Sequence, residues 1–380
     1  MIEQVRGSWI LKHRIAGSVG VLACLRNSAL QGWARSWRGR LRSQPKTFVA
    51  VALFSVIPLI GGCPRKELPP GNKPVSITIG SPSPSPAPIP TSFNGERALT
   101  HVKKQLEFGP RPPDTPELVK TRNYIVNELK SYGLTVSTDE FVANTPQGRK
   151  KMANIIAEIP GASTNVIIIA SHYDTKFFKD LHFVGANDPG ASVGTLLEIA
   201  RVAASSSTKP KSTYRFVFFD GEEAFCEGWD DCGTPENPDH TYGSRQYAQE
   251  LVDRHQAQNV QALILLDMMG YTKLELGRDT MSSRWLQNII WQTGRELGYT
   301  KIFVDRPEGV GGDDHEPFLR AGIDSVDLIQ LNDYSYWHTP EDTLDKISAQ
   351  SMKIVGETVL ASLPRIAAHP SAGTQPSAAQ

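Results

Sequence analysis

Cysteine is scarce, with four in 380 residues, too few for a disulfide-built scaffold. An excess of one charge is lacking too. Forty Lys and Arg balance forty Asp and Glu, which excludes nucleic-acid binding driven by bulk positive charge. No apolar run reaches the ~18 residues of a membrane-spanning helix, which excludes an integral multi-pass protein. Internal repeats are missing as well. What remains is 39% hydrophobic and 21% charged residues, enough to build a core, on a length suited to one large domain or two small ones.

The N-terminal residues do not pattern as a folded domain. Arg35, Arg38, Arg40, Arg42 and Lys46 precede an apolar stretch from Phe48 to Ile60, followed by Gly61, Gly62 and Cys63. Basic residues, a short apolar segment and small residues at a cut site describe an export signal. Cys63 is then expected to carry lipid, placing the protein, as a bacterial lipoprotein, in the cell envelope. A short buried helix is the competing reading of the apolar stretch, and Val21-Leu22-Ala23-Cys24 is a weaker lipidation site. Residues 1–63 are thus expected to be leader and signal. Residues 64–92, with Ser81-Pro82-Ser83-Pro84-Ser85-Pro86, have the composition of an extended linker. A catalytic domain is expected over 93–369, with a tail of small and polar residues over 370–380.

Within that domain, Leu118, Ile125, Val126 and Leu129 fall at helical spacing, with Gly133 as a stop. Val166–Ala170, Phe216–Phe219, Ala262–Leu266 and Ser325–Leu331 are apolar, β-rich runs, and Val136–Val142 and Asn154–Glu158 add two strands. Helical patterns occupy Ser192–Ala204, Ser244–Val252, Arg284–Leu297 and Ala349–Leu363. Alternating strands and helices predict an α/β fold: a single globular domain with a mostly parallel central sheet flanked by helices.

Polar chemistry gathers directly after the strands, at Ser171-His172-Tyr173-Asp174, Asp220-Gly221-Glu222-Glu223, Asp267 and Trp337-His338-Thr339. Ligands of open α/β sheets bind outside the carboxyl ends of the strands, so these segments should converge. Asp188, Asp313 and Asp314 complete the set. His nitrogen with carboxylate oxygen is a zinc donor set, and a catalytic zinc keeps three protein ligands and one open position. Adjacent Glu222 and Glu223 suit a division of labour, one binding metal and the other moving a proton. Taken singly, each piece has a plainer reading: a solvated Glu-Glu turn, a packed Trp-His, or an Asp-Asp-His cap on a helix starting near Glu316.

The motifs in order are His172-Tyr173-Asp174, Asp188, Phe219-Asp220-Gly221-Glu222-Glu223-Ala224-Phe225, Tyr242-Gly243-Ser244-Arg245, Leu266-Asp267, Asp313-Asp314-His315-Glu316-Pro317-Phe318 and Trp337-His338-Thr339. Over roughly residues 95–365 the chain resembles the zinc-dependent glutaminyl-peptide cyclotransferases, relatives of the M28 metallo-aminopeptidases. The resemblance implies one zinc held by Asp188, Glu223 and His338, with Glu222 as acid/base. Asp267 and Asp313 become hydrogen-bonding acids around the substrate, and Trp229 and Trp337 wall the pocket. Ser171 stands where some animal members have a disulfide cysteine. The implied partners are peptides or proteins beginning with Gln, converted to pyroglutamate with loss of ammonia; a monomer is expected, with no nucleic acid and membrane contact only through the lipid.

Two other functions stay open. His172 and Asp267 could hold a second zinc, as in dinuclear aminopeptidases that hydrolyse N-terminal peptide bonds, or His172 could serve by hydrogen bonding alone. The insert Lys176–Asn187, Trp337 before His338 and the Asp313–Phe318 segment favour the cyclase. A non-catalytic binding lipoprotein would be expected to have lost Glu222 or a ligand. Cys226 and Cys232 form either a small-loop disulfide holding Trp229 or two free thiols.

Overall fold

A computed structural model of the protein describes residues 92–370. Cys24, Cys63, the leader, residues 64–91 and the tail from 371 lie outside these residues.

Two helices open the domain, α1 (Gly95–Leu106) and α2 (Pro116–Ser131). Asn94 caps the first by accepting from the Arg97 N–H, and Thr115 caps the second by accepting from the Leu118 N–H, each satisfying an orphan donor of the first turn. After α2 the chain reverses at Gly133, where φ is +80°, a conformation glycine adopts without a Cβ penalty.

A six-stranded sheet follows, built from β1 (Thr135–Thr145), β2 (Gly148–Ile159), β3 (Val166–His172), β4 (Thr213–Phe219), β7 (Val260–Leu266) and β10 (Ser325–Leu328). Its spatial order is β1-β2-β4-β3-β7-β10. The pairs β4–β3, β3–β7 and β7–β10 are parallel, while β1–β2 and β2–β4 are antiparallel. Two small pairs stand apart, β5 (Gly233–Thr234) with β6 (Asn237–Pro238) and β8 (Leu276–Asp279) with β9 (Phe303–Glu308). The remaining helices are α3 (Ser192–Ala204), α4 (Tyr242–Asp253), α5 (Arg284–Glu296), α6 (Glu316–Arg320) and α7 (Ala349–Ala368).

Strand alternation decides which residues meet which helices. Ile167, Ile169, Phe216, Phe218, Ile264 and Leu266 face a core shared with α1, α2, α3, α5 and α7. Ile168, Ala170, Val217, Phe219, Leu263 and Leu265 face the other way, against Tyr247, Ala248 and Leu251 of α4 and Phe318 of α6. Burial on both faces explains why these strands are nearly continuous apolar runs; each such side chain contributes about 1.5–3 kcal/mol.

The sequence expectation for the last strand runs too long. β10 ends at Leu328, because Gln330 leaves the ladder to accept from the Glu275 N–H and donate to the Lys273 carbonyl. The helix expected from Ser244 begins at Tyr242, and the last helix continues past Leu363 to Ala368.

Candidate active site and metal centre

The carboxyl ends of β3, β4, β7 and β10 lie side by side and deliver the chemistry to one edge. His172 closes β3. Asp220-Gly221-Glu222-Glu223 follows β4, Asp267 follows β7, and the loop after β10 returns His338. Asp188 comes from the irregular turn Ala186–Ala191 ahead of α3.

His338 Nε2 lies 3.1 Å from Glu223 Oε2 and 3.5 Å from Asp188 Oδ2. His172 Nε2 lies 3.2 Å from Asp188 Oδ1 and 3.4 Å from Asp267 Oδ1. Among the described residues, two donor groups meet at this edge, Asp188/Glu223/His338 and His172/Asp188/Asp267, each with its ligand atoms within 4.8 Å of one another, and a third, Asp313/His315/Asp327, is buried. Asp188 belongs to the first two. Glu223 Oε2, Asp267 Oδ1 and both ring nitrogens of His172 are buried without a hydrogen-bond partner, a costly state in the absence of a further group to bind. Nitrogen and carboxylate donors stranded in this way fit zinc.

Asp188, Glu222, Glu223, Trp229, Asp267, Asp313, Trp337 and His338 line a single cavity of about 200 Å³. All eight are residues the sequence singled out. His172 sits beneath it, 1% exposed. A larger groove of about 740 Å³ between β1, α4 and α6 contains none of these groups, so convergent chemistry marks the smaller one as the site.

For Glu222, burial and then Glu223, Asp313 and Asp314 push the pKa well above the usual carboxylate range, against the pull of His172. Burial and Asp313 push Asp267 up to about 7, opposed by His172. For Asp188 burial is outweighed by His172 and His338, which hold its carboxyl below the usual range. His338 is half-buried, which lowers its pKa, but Glu223 and Asp188 outweigh this and raise it.

Packing fixes the ligands. His338 adopts φ +54°, an uncommon conformation for a side chain of this size and typical of functional sites. Trp337 stacks on its ring at 4.1 Å, and Phe178 and Phe183 of the Lys176–Asn187 insert meet it edge-on. Cys226 and Cys232 form a disulfide, resolving the question the sequence left open. Trp229 lies inside that small loop and stacks on His240 at 4.1 Å.

Several supporting residues carried no sequence signal of their own. Asp174 accepts from the N–H groups of Glu222 (3.1 Å) and Glu223 (3.3 Å) and so sets the Glu-Glu turn. Asp342 accepts from the N–H groups of Asn187 and Asp188 and from the Tyr334 hydroxyl. Buried Arg111 donates to the Val184 and Gly185 carbonyls, and buried Lys176 donates to those of Ala224 and Cys226. Asp174 stands in the His172-Tyr173-Asp174 motif and Lys176 at the start of the Lys176–Asn187 insert, but nothing in the sequence assigns either a role. The Asp-Asp-His segment does not cap α6 through its side chains: it is the Asp313 carbonyl that accepts from the Glu316 N–H, at 2.9 Å, while the Asp313 carboxylate faces the cavity.

Residues 154–363 match peptidase family M28. A glutaminyl-peptide cyclotransferase of Bos taurus is 30% identical over 272 residues, spanning 62% of this chain and 73% of the relative. The chain belongs to peptidase family M28, among its glutaminyl cyclases. An Acidobacteriales bacterium glutaminyl cyclase superposes with a TM-score of 0.66 at 32% identity, covering 75% of this chain and 98% of that one. A leucine aminopeptidase precursor from Bacteroides thetaiotaomicron also reaches 0.66, at 28% identity, covering 73% and 98%. Membership of the family accounts for the strand-end placement of the site; the choice of chemistry within it rests on the residues themselves.

Proposed function

We propose that the protein is a glutaminyl-peptide cyclotransferase using one zinc, held by Asp188, Glu223 and His338, and Glu222 as acid/base. The observation that carries this reading is Glu222: a buried carboxyl lining the cavity, next to the ligand trio but outside it, and 3.7 Å from His172 Nδ1. An N-terminal glutamine enters with its side chain between Trp229 and Trp337. A zinc held by Asp188, Glu223 and His338 would supply Lewis acidity towards the γ-carboxamide oxygen. Glu222 takes a proton from the α-amine as its nitrogen forms a bond to the side-chain carbonyl carbon. The bond from that carbon to the amide nitrogen breaks, and Glu222 returns the proton to the departing nitrogen, which leaves as ammonia. Asp267 and Asp313 offer hydrogen-bonding oxygens around the substrate. Water is not a reactant, and the aromatic walls keep it out.

The test is to incubate the protein with a Gln-peptide and, separately, with an amino-acid arylamide. Ammonia release without arylamine release is expected. The reverse result favours the second reading, a dinuclear aminopeptidase, for which the shared Asp188 and the His172/Asp188/Asp267 group speak. A non-catalytic binding protein is disfavoured because Glu222 and every ligand are in place.

The same proposal includes export and a lipid anchor at Cys63, with the linker and domain following it. The Cys226–Cys232 bridge supports an oxidising compartment.

A further inference from the structure

His338 and Asp188 reach the cavity from loops far apart in the chain, and one buried side chain is bonded to both loops. It is Asp342, four residues after His338 and 1% exposed. On one side the Tyr334 hydroxyl donates to Asp342 Oδ1 at 2.6 Å, which closes the chain from 334 to 342 around His338. Turn hydrogen bonds run along the same stretch, from the Trp337 N–H to the Tyr334 carbonyl, from Thr339 to Tyr336 and from Asp342 to Thr339. Inside that closed loop His338 keeps its left-handed φ of +54°, a conformation that persists only where the surroundings over-determine it.

On the other side Asp342 grips the turn of Asp188. Its Oδ1 accepts from the Asn187 N–H at 2.9 Å and its Oδ2 from the Asp188 N–H at 3.1 Å, while its carbonyl accepts from the Ala186 N–H at 3.2 Å. These N–H groups open an irregular turn in which Asp188 lies outside helical geometry, at φ −112° and ψ 93°. No preceding helical turn can satisfy them, so a buried acceptor has to. The Asn187 side chain extends the tie to the segment after Asp267, donating to the Met268 carbonyl at 3.1 Å and accepting from the Gly270 N–H at 2.8 Å.

Resting on the reading of Asp188 and His338 as zinc ligands, we propose that Asp342 is a positioning residue that sets the spacing of these two ligands before metal arrives. Its contribution is to zinc affinity: the side chain bonds backbone N–H groups and the Tyr334 hydroxyl, and it does not line the cavity. Ligands already at their working separation need no ordering when the ion binds. Outer hydrogen-bonding partners of this kind are worth ~10–100-fold in metal affinity.

The test measures zinc dissociation constants on the full protein against a competing chelator. Asp342→Asn keeps one acceptor oxygen but turns an amide N–H towards the second backbone donor. It should bind zinc ~10–100-fold more weakly than wild type, and excess zinc should restore most of its turnover, which a loss of structure would not allow. Tyr334→Phe leaves both backbone bonds intact, so its affinity should fall between the two. A second arm needs no variant. In zinc-free wild type the Asn187 and Asp188 amides should already exchange hydrogen slowly, as they do with zinc bound. An Asn variant with wild-type affinity, a Phe variant weaker than the Asn variant, or amides that become slow only when zinc is added would each overturn the proposal. A wild type that holds zinc but does not cyclise Gln-peptides sinks the cyclase reading alone, and one that holds no zinc sinks both.

Discussion

Glu222 and Glu223 are neighbours in sequence with opposite duties, and their surroundings say which is which. Glu223 meets His338 at 3.1 Å and belongs to the ligand trio, while Glu222 lies outside it, 3.7 Å from His172 Nδ1. Glu222→Gln should therefore keep zinc and fold but lose ~10²–10⁴ in turnover, the worth of a positioned acid/base. Glu223→Gln should lose metal, because a neutral amide is the poorer ligand. Zinc content and cyclisation rate for both variants check this, and a swapped outcome reverses the roles. Away from the site, burial lowers the pKa of His101 from 6.5 to about 4, helped by Arg97 and Arg201. The unfolded chain then binds the extra proton between these values, so stability is full above pH 6.5 and falls as pH drops towards 4, by ~3 kcal/mol. His101→Gln should flatten that fall in urea midpoints taken at several pH values; parallel curves would refute the assignment. At this scale the sequence was informative wherever a residue works at a strand end, as with His172, Glu222, Asp267 and His338. It was silent on Arg111 and Asp342, which act by bonding backbone or buried side chains brought together from segments far apart in the chain, something no spacing encodes.

Elements position the pocket wall and the ligand turn. The Cys226–Cys232 loop holds Trp229 against His240, and Lys176 ties its first carbonyl, that of Cys226. Cutting the bridge with Cys226→Ser and Cys232→Ser should raise KM roughly 2- to 10-fold, the cost of ordering one or two side chains on binding, with kcat nearly unchanged. A kcat loss at constant KM would mean that the loop acts on the chemistry instead. Gly194 in α3 packs against α1 so closely that a Cβ would lie 2.5 Å from the Ala98 carbonyl oxygen. Gly194→Val should cost ~1–3 kcal/mol by overpacking, read as a lower Tm. The strands buried on both faces were legible because their apolar runs are short, rich in β-branched and aromatic residues, and alternate with helical patterns. By contrast, α1 was not picked out, since the face it buries, Gly95, Ala98, His101, Val102 and Gln105, holds a single aliphatic side chain larger than alanine. The β8–β9 pair was equally hidden: β8 is four residues long, and β9 carries Asp305, Arg306 and Pro307 among its six.

For the whole molecule, the question is what carries the domain to its surroundings. Among the described residues no helix is long and apolar enough to cross a membrane. Under the proposed arrangement, attachment then depends on one thiol, Cys63, separated from Gly95, the first residue of α1, by a Pro- and Ser-rich stretch whose composition cannot support a core of its own. Cleavage and lipidation would make that thiol the N-terminal residue, so its loss should affect processing and location together and leave the distant catalytic groups untouched. Cys63→Ser is expected to leave the protein unprocessed or to move it from the membrane to the soluble fraction. Lipid labelling should vanish, while the cyclisation rate per bound zinc stays as in wild type. Fractionation, labelling and activity are measured on the same preparations. Unchanged partitioning and labelling would move the anchor elsewhere, with Cys24 the next thiol to replace, and a fall in activity per zinc would show that residues before the domain contribute to the site.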